Sequence, residues 1–172
     1  MKTIEKKIGI DIFSGAGGLS LGAEMAGISV RYAIEIDSDA AKTYKKNHPD
    51  AKVICEDIQK INPIDLKEDH PFFIIMGGPP CQGFSLSNTI SRNMENPKNF
   101  LFKEFVRFVK VLKPIWFVLE NVKGITSINH GNTQLLIEDC FRELGYTVKS
   151  KVLCASDYGL SLIHISEPTR PY

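Results

Sequence analysis

No apolar run in this sequence approaches the roughly 18 residues that a membrane span needs. The short charged stretch before Ile8 also lacks the apolar core and small-residue cleavage site of a secretion signal, so a cytoplasmic location is expected. Neither sign of charge is in excess. Lys and Arg number 21 against 20 Asp and Glu, a net charge of +1, which excludes a uniformly basic protein and leaves room only for a local basic face. Cysteine is scarce: Cys55, Cys81, Cys140 and Cys154 stand far apart, with no C-x-x-C pair and no histidine cluster. That pattern excludes a zinc site or a disulfide framework, and free thiols with no metal are expected. Internal repeats are absent as well. What remains, 43% apolar and 24% charged residues in a chain of 172, is the balance of one soluble globular domain with its own core.

The apolar pattern alternates between two periods. Residues 7–13 predict an Ile-rich strand ending in a tight Ser14-Gly15 turn, and residues 19–26 a short helix closed by Gly27. Residues 30–36, 52–55, 72–76, 115–119 and 147–155 predict five more strands. Helices are expected over 39–47, with Ser38 as cap and Pro49 beyond the end, over 100–112, and over 133–144 before Gly145. In the second of these, Leu101, Phe105, Phe108 and Leu112 form one stripe, with Lys103, Glu104, Arg107 and Lys110 facing away. Strands alternating with helices at this spacing imply an α/β fold with a mostly parallel sheet covered on both faces. The polar segment 85–99, rich in Asn and without a period, is long for a loop and reads as a working part.

Three stretches carry chemistry. In Asp11-Ile12-Phe13-Ser14-Gly15-Ala16-Gly17-Gly18, glycines at a strand-to-helix turn permit close approach of backbone to ligand. Glu35, at the end of the next strand, is placed to accept hydrogen bonds from ribose hydroxyls. Ser20 occupies the third glycine of the dinucleotide fingerprint G-x-G-x-x-G, which turns the reading from NAD towards another adenosine ligand; a ligand-free glycine turn is the plainer alternative. Asp57, beyond the third strand, could take the adenine amino group or be a solvated turn residue. Gly78-Pro79-Pro80-Cys81-Gln82-Gly83-Phe84-Ser85 is more specific: a buried strand aims a thiol at the carboxyl edge of the sheet, on a turn stiffened by two prolines, as a nucleophile requires. Glu120-Asn121-Val122 ends the neighbouring strand. That brings a carboxyl near Cys81, able to hold a proton on a bound base or simply to cap a turn.

These stretches, followed by Gly131-Asn132-Thr133 and Ala155-Ser156-Asp157-Tyr158-Gly159, occur in an order that resembles the conserved blocks of the cytosine-5 DNA methyltransferases of bacterial restriction-modification systems. The likeness covers residues 8–159. It implies a Rossmann-like S-adenosylmethionine-dependent methyltransferase sheet, truncated before its last strand. It further implies Cys81 as nucleophile on a cytosine flipped out of double-stranded DNA, Glu120 at ring nitrogen 3, and Asn121 positioning them. In the cofactor site, Phe13 would stack near the adenine, Glu35 hold the ribose and Asp57 the adenine amino group, while Pro79 and Leu101 line the pocket. Ser14, Gly15, Gly17, Gly18, Ile36 and Ile58 complete the cofactor contacts. The segment 85–99 would close over the flipped base.

The sequence departs from the family pattern at Asn96-Pro97-Lys98, where many members have Asp-Pro-Arg; lysine keeps the charge without the bidentate fork. Residues 160–172 resemble the translation of a sequencing adapter and are left out of the fold reading. The target recognition domain of the family is then missing, residues 1–159 form a partial catalytic domain, and the expected product is a monomer, unstable or inactive by itself. A cognate restriction endonuclease is the further partner the likeness implies. An RNA cytosine methyltransferase and a non-catalytic S-adenosylmethionine-binding module remain as alternatives. An NAD oxidoreductase is disfavoured by Ser20, and a cysteine hydrolase by His48, His70 and His130, which show no pairing with Cys81.

Overall fold

Ile10 and Ile12 fall on one face of a short run, Gly9 and Asp11 on the other, and this run becomes the central strand β1 (Ile8–Ile12). The computed structural model describes residues 7–80, 101–126 and 132–160. After β1 come α1 (Gly18–Met25), β2 (Ser29–Glu35), α2 (Ser38–Asn47), β3 (Lys52–Cys55), β4 (Ile74–Gly77), α3 (Leu101–Leu112), β5 (Trp116–Leu119) and α4 (Asn132–Glu143). Single 3₁₀ turns lie at Ile58–Lys60, Pro63–Leu66, Lys123–Thr126 and Ala155–Tyr158. Among the described residues no helix is long and apolar enough to cross a membrane.

The five strands are parallel throughout, in the order β3-β2-β1-β4-β5. The chain therefore builds outward from β1 on one side, returns, and builds outward on the other. The reversal leaves a crevice at the carboxyl ends of β1 and β4, where α/β sheets of this kind bind their ligands. Gly77 makes the close approach possible: a Cβ there would sit 1.8 Å from the Ile12 carbonyl oxygen. The sequence suggests a strand from Phe72 that stops at Gly77; instead the ladder runs from Ile74 through Gly77, and Phe72 is buried beneath its start.

One sheet face carries Ile10, Ile12, Ile34 and Ile75 against Phe102, Phe105, Phe108, Val109 and Leu112 of α3 and Phe141 of α4. Phe117 stacks on Phe141 with centroids 4.1 Å apart and meets the Tyr146 ring edge-on at 5.3 Å, so α4 is seated by aromatic packing. The opposite face is covered by α1, whose Ala23 packs with Val30 and Met76, and by α2, whose Tyr44 packs with Ala33. Trp116 and Val118 remain exposed on β5.

Three local expectations are corrected. Asp37, not Ser38, caps α2: its carboxylate accepts from the N–H groups of Asp39 (2.9 Å) and Ala40 (2.8 Å), and Ser38 is already helical. Arg107 does not face water with Lys103 and Lys110. Its guanidinium donates to the carbonyls of Ile61 (2.9 Å) and Ile58 (2.8 Å), tying α3 to the turns after β3. Residues 147–155 form no strand. An alternating pattern becomes a strand only where a ladder partner is met, and here Tyr146 anchors on the Pro114 carbonyl (2.6 Å), after which Val152 and Leu153 stay exposed.

Candidate active site

Because every strand is parallel, the residues that follow them share one edge: the glycine turn after β1, Glu35 at the end of β2, Asp57 after β3, Gly78-Pro79-Pro80 after β4 and Glu120-Asn121 after β5. The glycine turn is sharply wound. Phe13 (φ 62°), Gly15 (φ 53°) and Gly17 (φ 99°) all adopt left-handed backbone. For Phe13 that conformation costs roughly 1–3 kcal/mol, and such strain gathers at functional sites. Ser14 holds the turn in place, its N–H donating to the Ile34 carbonyl (3.0 Å) and its own carbonyl accepting from Gly17 N–H (3.0 Å).

Glu35 joins this turn to α2. One carboxylate oxygen accepts from Gly15 N–H and the other from Asp37 N–H, both at 2.8 Å. Each oxygen keeps a further lone pair. Open space lies beside Gly15, where an added Cβ would meet nothing within 4 Å, and the Ser14 hydroxyl is buried without a partner. A half-satisfied acid, an orphaned hydroxyl and an open turn suit a ligand rich in hydroxyl and amino groups.

Asp57 is half-buried and caps the 3₁₀ turn that follows β3, one of its oxygens accepting from Gln59 N–H (3.0 Å). Ile58 turns its side chain into the core while its carbonyl is held by Arg107; Ile36 is exposed beside Glu35. Leu101 sits half-buried at the margin of the core. Gly18 opens α1 with free space beside it.

At the other end of the edge, Glu120 lies over Gly78: a Cβ on that glycine would come within 2.8 Å of Glu120 Oε2. Asn121 donates from Nδ2 to the Pro79 carbonyl (3.0 Å) and accepts Val122 N–H at Oδ1 (2.9 Å), so it braces the turn that leads into Cys81. The turn after β5 thus lies against Gly78 and Pro79 of the turn after β4. Cys81 itself, the segment 85–99, Gly131 and residues 161–172 lie outside the described residues.

A polar cluster beneath the glycine turn escapes sequence reading. Asp11 is fully buried on the α1–α2 side of β1. Ser20 Oγ donates to its Oδ2 (2.6 Å), which leaves the Tyr44 hydroxyl to donate to Ser20 Oγ (2.6 Å), and Asp11 Oδ1 has no partner. Burial pushes the Asp11 carboxyl up to about 6 from its ordinary 3.8, and the same cause raises Tyr44. His48, expected in a loop, is a buried residue at the end of α2. Its Nε2–H donates to the Gly17 carbonyl (3.1 Å), and Nδ1 lies 3.0 Å from both carboxylate oxygens of Glu24. The available signal was Ser20 in a glycine's place: a small polar residue there has something to bond.

Residues 8–161 match the family model described as C-5 cytosine-specific DNA methylase. The chain is 43% identical to the type II methyltransferase M1.HphI of Haemophilus parahaemolyticus, over 88% of this chain and 42% of that protein. It is 46% identical to M.DdeI of Desulfomicrobium norvegicum, over 88% of this chain and 37% of the relative. The chain thus spans about two fifths of the length of these curated relatives. Among solved structures, a prophage-encoded DNA modification methyltransferase of E. coli superposes with a TM-score of 0.66 at 37% identity, covering 79% of this chain and 38% of that one. Spodoptera frugiperda DNMT2, at 24% identity and a TM-score of 0.61 over 81% of this chain and 41% of its own, shares the fold.

Proposed function

Since the chain belongs to the C-5 cytosine-specific DNA methylase family, we propose that its sheet edge binds S-adenosylmethionine and serves methyl transfer to carbon 5 of cytosine in DNA. The observation that carries the reading is the seating of Glu120 over Gly78, three residues before Cys81, with Asn121 bracing Pro79. When bound, S-adenosylmethionine supplies an activated methyl group on a sulfonium.

The residues that fit this ligand are those already half-satisfied. Glu35 keeps lone pairs for ribose hydroxyls while its backbone bonds fix its orientation. Asp57 offers its uncommitted oxygen to the adenine amino group, on a turn that Arg107 holds still. Phe13 presents its ring from a strained backbone, and Pro79 and Leu101 bound the site. Cys81, as thiolate, adds to carbon 6 of a cytosine taken out of the duplex, and Glu120 holds the proton at ring nitrogen 3 so that the ring accepts the new bond. Carbon 5 is thereby made nucleophilic. After the methyl group is taken, the proton on carbon 5 leaves and the carbon–sulfur bond breaks, restoring Cys81.

Two measurements test the reading. Calorimetry is expected to give saturable binding of S-adenosylmethionine that Glu35→Ala weakens at least tenfold; no binding by the unaltered chain overturns the cofactor assignment. A duplex carrying 5-fluorocytosine, incubated with the cofactor, is expected to trap a covalent adduct that Cys81→Ala abolishes. An adduct that survives this substitution overturns the nucleophile, and cofactor binding with no adduct at all favours a binding module.

A further inference from the structure

The buried histidine of α2 has no part in the chemistry proposed above, yet it touches the glycine turn directly. Gly17 is the pivot of that turn. It adopts left-handed backbone, it caps α1, and its carbonyl already accepts Leu21 N–H (2.9 Å) as the first bond of that helix. The same carbonyl takes the Nε2–H of His48 from across the sheet face. The fit is tight: a Cβ on Gly17 would lie 2.4 Å from His48 Nε2. Behind it, the His48 ring packs against Tyr44 with centroids 4.5 Å apart, and Tyr44 is bonded through Ser20 to Asp11. Glu24, on the exposed side, meets the other ring nitrogen.

α2 therefore grips the turn from both ends, through Asp37 and Glu35 at its start and through His48 at its close. Sheet order sets what this holds. With adenine at Asp57 beside β3 and ribose at Glu35 beside β2, the methionyl end of the ligand runs over the turn after β1 towards Gly78 after β4. We propose that His48 is a positioning residue for cofactor binding, fixing Gly17 so that the turn meets the methionyl end in one conformation. The inference rests on the S-adenosylmethionine reading of the same edge.

Two amide substitutions separate positioning from mere space filling. The side-chain nitrogen of Gln reaches the place of His Nε2, whereas that of Asn reaches only the place of Nδ1. Both remove the ring from Tyr44. By calorimetry with S-adenosylmethionine, His48→Gln is expected to bind as the unaltered chain does, and His48→Asn about tenfold more weakly, the worth of one buried hydrogen bond. Equal affinities in the two variants overturn the inference while leaving the cofactor reading intact. Failure of the unaltered chain to bind removes both. If neither variant folds, Glu24→Ala, at an exposed position, loosens the ring's other anchor; a threefold or larger loss of affinity supports the clamp, and an unchanged affinity overturns it.

Discussion

Replacing Asp11 by Asn should stabilise the protein, and by an amount that depends on pH in a stated direction. The carboxyl is wholly enclosed, one oxygen bonded by Ser20 and the other by nothing. In the unfolded chain it takes up a proton near its ordinary 3.8, in the folded chain at about 6. Between those values the folded state binds more protons than the unfolded one, so stability falls as pH rises through that window. Below pH 4 the penalty is absent; above pH 7 it is fully present and amounts to about 3 kcal/mol. Asn keeps the shape and an acceptor for Ser20 but carries no charge. Urea unfolding of both proteins from pH 4 to 7.5 isolates the effect, because other carboxyl groups contribute equally to each and cancel in the difference. The variant should gain about 3 kcal/mol relative to the parent across that range. A difference that stays flat with pH would refute the argument, since it would mean that Asp11 is either solvated or already protonated throughout.

Substitutions at two further positions test the frame of the site. Gly77→Ala would force a methyl group into the Ile12 carbonyl at the β1–β4 crevice, and the unfolding free energy should drop by about 3 kcal/mol or more; an unchanged urea midpoint would deny the close approach of these strands. Arg107→Met removes both bonds from α3 to the Ile58 and Ile61 carbonyls and should lower stability by about 2–3 kcal/mol. Arg107→Lys, which can restore one of them, should recover part of the loss in the same assay.

Much of this arrangement is legible before any coordinates. Strand positions follow from Ile-rich runs, and once the strands are parallel their carboxyl ends must share an edge, which is why Glu35, Asp57 and Glu120 are found where the motifs imply. What sequence misses are contacts between residues far apart in the chain. Arg107 lies on the polar side of its helix by period alone, yet the carbonyls it reaches are 46 and 49 residues away. His48 follows a helix and precedes a proline, which reads as a loop, and its acceptor on Gly17 is 31 residues distant. The exchange of Ser38 for Asp37 as cap is smaller in kind: two adjacent residues could both cap, and the stronger acceptor, coming directly after the Glu35 turn, takes the position. Residues 147–155 show the converse error, a pattern that fits a strand without a ladder to join.

The exposed side of β5 gives the protein a built-in optical reporter. Trp116 is its only tryptophan and is 60% exposed at the amino end of that strand, the end opposite the carboxyl edge of the sheet. An indole this exposed is expected to emit as a water-contacting one, and binding at the glycine turn, at the other end of the strands, is expected to leave that emission unchanged. Any polypeptide that comes to lie against β5 withdraws the indole from water and shifts its emission to the blue. One spectrum therefore distinguishes contact at β5 from contact at the glycine turn, on the carboxyl edge of the same sheet.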